Sequence, residues 1–98
     1  MSIEVTVRHL DISDTLNKFA HDKSEKLIEK FPVIEFVRVV LDKDGPFYTV
    51  SIAIQGGRHS TVESNDKEAD MIAAINAAFD KAEAQLRKNA QRHQDVRP

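Results

Sequence analysis

The sequence predicts an α+β domain in the order β-α-β-β-β-α, a four-stranded mixed sheet with two helices packed on one face. Three observations point there. Asp66–Arg92 reads as one long amphipathic helix without Gly or Pro, carrying Met71, Ile75, Ala78, Phe79, Ala82 and Leu86 on one stripe. A second helical stretch ends at Pro32. The remaining segments alternate apolar and polar residues and are separated by Gly-bearing turns.

Ile3–Arg8 alternates and so predicts a half-buried strand. Asp11 or Ser13 can cap the first helix, with Asp14 in its first turn. That helix should run to about Lys30 on an apolar stripe of Leu16, Phe19, Ala20, Leu27 and Phe31. Lys23 falls in the middle of the stripe, where an apolar residue is expected. Ile34–Asp42 is more continuously apolar, as suits an interior strand. Lys43–Pro46 is a hairpin signal with Gly45 free to take positive φ. Phe47–Gln55 is the third strand, with Tyr48, Val50, Ile52 and Ile54 on its inner side. After a turn at Gly56–Gly57, Arg58–Ser64 is a weaker fourth strand. Asn65 with Glu68 three residues on resembles a capping box for the long helix. A right-handed crossover makes the first two strands parallel, and the last three form an antiparallel meander. Packing both helices on one face then buries Leu16, Phe19, Leu27, Ile52, Ile75, Phe79 and Leu86 together.

Ninety-eight residues suffice for one core, so residues 1–93 are expected to form a single domain and 94–98 a frayed tail. No apolar run approaches a membrane span, and no basic segment leads into an apolar block as in a secretory signal. The absence of cysteine rules out a disulfide framework, a thiolate nucleophile and a cysteine-based zinc site. His9, His21, His59 and His93 are scattered, with no His-x-x-x-His or Glu-x-x-His spacing, so no metal site is expected. The serines lack a catalytic setting, and Gly56–Gly57 is too short for a phosphate cradle. No enzyme, cofactor or small-molecule substrate is indicated.

The cations are placed unevenly. Lys23, Lys26 and Lys30 share one edge of the first helix, and Lys81, Gln85, Lys88 and Arg92 share one edge of the second, with Arg87 on its other flank. A solvated face laced with pairs such as Asp22–Lys26 is the bland account of such edges. From Lys81 onward, however, five basic residues meet only Glu83 and Asp95, while acids gather earlier at Asp66, Glu68, Asp70 and Asp80. A net charge of −2 thus conceals a basic end. If the helices are neighbours, their cationic edges could line one groove.

In Ile12–Phe19, Lys23, Lys26–Leu27, Phe31, Val37–Leu41, Gly56–Gly57, Asp70–Asn76, Asp80–Lys81 and Gln85–Lys88 the chain resembles the bacterial hibernation-promoting factors and ribosome-associated translation inhibitors, in their short single-domain form. The likeness runs from Ile3 to about Arg92 and rests on the order and spacing of these segments together. It implies a cytoplasmic protein that binds the small (30S) ribosomal subunit and the 70S ribosome in the mRNA/tRNA channel, silencing translation in stationary phase or stress. It further implies contact with 16S rRNA through Lys23, Lys26, Lys81, Lys88 and Arg92, to which Lys30, Gln85 and Arg87 on the same helices are added. The chain departs from the family pattern in Glu83, Ala84 and Ala90, where Arg or Lys often sits, in Ile72, where tyrosine is common, and in a longer Glu63–Ala69 connection. A protein-interaction domain on the same fold with weak RNA binding is the alternative, favoured by the net charge of −2. A general double-stranded-RNA binder is a third reading.

Overall fold

The computed structural model describes residues 2–11, 13–56 and 61–95, with side chains through residue 89. The elements are β1 (Ser2–Val7), α1 (Asp14–Lys30), β2 (Ile34–Asp44), β3 (Phe47–Gly56), β4 (Thr61–Glu68) and α2 (Met71–Asp95). The sheet order is β1-β2-β3-β4. β1 runs parallel to β2, and β2, β3 and β4 follow one another antiparallel. The expected order, meander and parallel crossover all stand.

The core lies between the helices and one sheet face. Val37, Val39 and Leu41 of β2, Val50, Ile52 and Ile54 of β3 and Val62 of β4 are buried there against α1 and α2. The whole expected stripe of α2 is buried, Phe79 to 4% exposure and Leu86 to 6%. Leu16 and Phe19, expected in the core, are only partly buried. The centre of the α1 contact is instead Ala20, Ser24 and Leu27. Small side chains at 20 and 24 leave no bulk between helix and sheet, and the buried Ser24 hydroxyl is satisfied by donating to the Ala20 carbonyl at 3.0 Å.

Local chemistry sets the element ends. Ser13 caps α1, its Oγ accepting from the Leu16 N–H at 3.2 Å. Gly45 takes φ 62° in a two-residue hairpin turn with Pro46, so β2 continues to Asp44. Gly56 is buried where β3 meets the start of β2, and a Cβ there would stand 2.5 Å from the Val33 carbonyl oxygen. Only glycine permits that approach.

The largest difference from expectation is at β4. It extends to Glu68, with Asn65 opposite Ser51 and Glu68 opposite Tyr48. Asn65 and Glu68 are therefore ladder residues and not a capping box, and Glu63–Ala69 is chiefly strand, not a long connection. Asp70 is the cap of α2, accepting from the Ala73 N–H at 3.1 Å. Pairing with β3 overrides the weak strand propensity of Ser-Asn-Asp-Lys-Glu. Of the expected strand start, residues 58–60 lie outside the described residues. At the other end α2 includes Gln94 and Asp95, which the sequence assigned to a tail.

Candidate nucleic-acid interface

The flanks of α1 differ in character. On a helix turning 100° per residue, Lys23, Lys26 and Lys30 fall on one side of the Ala20–Ser24–Leu27 contact line and His21, Glu25 and Ile28 on the other. Lys23 is not in the middle of the buried stripe but at its edge. It is half-buried, with its ammonium 5.8 Å from the Phe19 ring centroid. That geometry keeps the stem on apolar surface and the charge at the rim, with a cation–π contribution. Lys26 and Lys30 are exposed beside it. Among the described residues Lys26 makes no ion pair, so the expected Asp22–Lys26 bridge is not formed.

This lysine flank faces α2. Lys30 Nζ lies 3.3 Å from a Glu83 carboxylate oxygen, and Glu83 also takes the Arg87 guanidinium at 2.7 Å one turn along. Glu83, whose side chain is 24% exposed, is thus an anion held between cations of both helices. The sequence marked Glu83 only as an acid in a basic setting. Its spacing to Arg87 was a usable signal, whereas the contact with Lys30, 53 residues away, needs the fold.

Lys81 and Gln85 face the other way. Lys81 Nζ contacts Asp66 Oδ1 at 3.1 Å and the Asn65 carbonyl at 3.3 Å, and Gln85 Nε2 donates to the Glu63 carbonyl at 3.4 Å. Both bridge α2 to the outer edge of β4. The Lys81 hydrogen bond, above all, holds the Asp66 carboxyl below the ordinary carboxylate value, against an opposing effect of burial. Lys88 is exposed on the helical face of Lys81 and Gln85. Arg92 lies in the helix, but its side chain is outside the described residues.

The cationic edges therefore do not line a single groove. Lys23, Lys26, Lys30 and Arg87 border the interhelical groove, and Lys81, Gln85 and Lys88 lie on the far flank of α2 over β4. The fold reason is spacing: α1 sits over β1 and β2 while α2 sits over β3 and β4, so α2 turns one flank to α1 and the other to the sheet edge.

Residues 3–94 match the model of the family described as Sigma 54 modulation protein / S30EA ribosomal protein. The chain belongs to this family. Among the S30EA relatives, a ribosome hibernation promoting factor of Escherichia coli is 32% identical over 92 residues, covering 91% of this chain and 93% of that protein. One of Pseudomonas putida is 26% identical over 98 residues, covering 98% and 93%. The fold is also that of the N-terminal domain of Thermus thermophilus Protein Y, with a TM-score of 0.78, 27% identity and coverage of 90% of this chain and 98% of that one. A ribosomal subunit interface protein from Coxiella burnetii shares the fold at a TM-score of 0.84 and 21% identity, over 93% of this chain and 99% of that one. Among the described residues, no helix of this family member is long and apolar enough to cross a membrane.

Proposed function

We propose that this protein is a non-catalytic ribosome-hibernation factor of the cytoplasm that binds the small subunit in its mRNA/tRNA channel and silences translation. Family membership across residues 3–94 carries this reading. The lysine flank of α1 supports it: Lys23, Lys26 and Lys30 present ammonium groups along a rigid edge, as phosphate recognition by shape requires. In this reading Lys23 and Lys26 contact 16S rRNA from α1. Lys88 and Arg92 do so from α2, whose far end is more basic than its start. Lys30, Arg87, Lys81 and Gln85 join by exchanging their internal partners for phosphates. Cosedimentation with purified 30S and 70S particles, alongside a free-RNA control, tests the proposal. Retention on 30S and 70S without retention on free RNA supports it.

One observation favours the protein-interaction alternative. Glu83 and Asp66 already neutralise Lys30, Arg87 and Lys81, three of the candidate cations. Failure to cosediment at low salt would put that alternative first.

A further inference from the structure

The acidic flank of α1 borders a second groove, on the side away from α2. It is about 370 Å³ and lined by Ile3 of β1 with His21, Glu25, Ile28 and Glu29 of α1. Ile3 and Ile28 are partly buried and supply an apolar floor. Glu25 and Glu29 are exposed above it, one turn apart. His21 Nδ1 lies 3.0 Å from Glu25 Oε1, which holds that carboxylate over the groove.

The groove runs beside an open strand edge. Among the described residues β1 pairs only with β2, and none of them forms a strand on its other side. The Arg8 N–H points to the Leu41 carbonyl on β2. Strand alternation then turns the peptide groups of Thr6, Glu4 and Ser2 toward β2 and those of Ile3, Val5 and Val7 outward. The opposite edge is treated differently. On β4 the outward Glu63 and Asn65 carbonyls are taken by Gln85 and Lys81 of α2. Among the described residues, no side chain does the same for Ile3, Val5 or Val7. One edge of the sheet is thus guarded and the other is open, flanked by a helix at groove distance.

We propose that this edge binds an extended basic polypeptide, which adds as a fifth strand beside β1. Backbone hydrogen bonds to Ile3, Val5 and Val7 hold the segment. One set of alternate side chains faces α1, and lysine or arginine there lays its stem on the Ile3–Ile28 floor and meets Glu25 and Glu29, while the residues between turn to the opposite face of the sheet. An unpaired edge with a helix-walled groove is the geometry of strand addition, where main-chain bonds give affinity and alternate pockets give specificity. Charge complementarity sets the class of partner: an acidic strand would be repelled, and a nucleic acid would bring phosphates against two carboxylates. The proposal is independent of ribosome binding. It uses the opposite flank of α1 from the lysines, so the two faces share no residue.

The test uses the full chain without ribosomes and a blocked seven-residue peptide of alternating lysine and valine. Amide chemical shifts and hydrogen exchange are followed during titration. The expected result is slowed exchange at Ile3, Val5 and Val7, with shifts at His21–Glu29. Binding should weaken by about tenfold in Glu25→Lys/Glu29→Lys and be unchanged in Asp80→Lys, a control on α2. A peptide N-methylated at every residue should fail, because its backbone donors are gone. Both variants are checked for an unaltered melting temperature, and cosedimentation of Glu25→Lys/Glu29→Lys with 30S should persist. Equal binding of a glutamate–valine peptide, protection elsewhere on the sheet, or no saturable binding of the lysine peptide overturns the proposal.

Discussion

At the scale of single residues, Lys23 and Glu83 say most. Methionine at 23 would fill the same half-buried edge without a charge to keep in water, so Lys23→Met should be at least as stable as wild type. It should nevertheless bind ribosomes more weakly, and unchanged cosedimentation would make Lys23 an ordinary edge residue. Glu83→Gln tests the converse. It releases Lys30 and Arg87 from their common anion, at a stability cost within about 1 kcal/mol for such partly exposed pairs. Ribosome affinity should rise, read as a lower half-saturation in pelleting assays. A fall would mean that Glu83 positions these cations instead of masking them. The partners of Lys81 and Gln85 were not legible in the sequence. Both were placed correctly on one helix edge, but what lies beneath that edge is a strand whose length the sequence underestimated.

At the scale of elements, α2 and β4 behave as one unit. The Ser64 hydroxyl donates to the Ala78 carbonyl at 2.9 Å, and Lys81 holds Asp66. The depressed Asp66 carboxyl fixes the sign of the pH dependence. Its contact contributes fully above the ordinary value of 3.8 and is lost as pH falls through the lower folded-state value. The melting-temperature advantage of wild type over Asp66→Asn should therefore hold from neutrality down to that ordinary value and vanish in stronger acid. An advantage that grows on acidification would contradict the pairing. Phe79 anchors the unit to the core, and Phe79→Ala should cost about 3–5 kcal/mol in denaturant unfolding. The α2 stripe was legible apart from the fully buried Ala74, because a 3.6-residue period over many turns leaves little ambiguity. The α1 stripe was legible only to within one helical position. Ser24 carries no hydrophobic signal, and Lys23 was credited with its place. At β4, polar composition imitated a helix start, and only the ladder with β3 reveals the strand.

At the scale of the whole molecule, the polarity of the charge is what the proposed RNA contact of a chain of net charge −2 rests on. Asp66, one of the acids that gather ahead of Lys81 in the sequence, is paired with Lys81 within the fold, while Asp70 caps α2. The acids on the outer flank of α1 face away from the lysine flank, so the proposed docking has one orientation. The measurement that tests this most directly is cosedimentation with 30S particles across a salt series. With four or five phosphate contacts, the log–log slope should be near −3 to −4, at roughly 0.7–0.9 per contact. Replacing Lys88 and Arg92 together by Gln should flatten the slope by about two contacts' worth. Replacing Lys43, a β2 residue near the distal hairpin whose ammonium lies over the Tyr48 ring of β3, should leave it unchanged. Salt-independent binding, or a Lys43 effect equal to that of the helix pair, would contradict a ribosomal RNA contact through these helices.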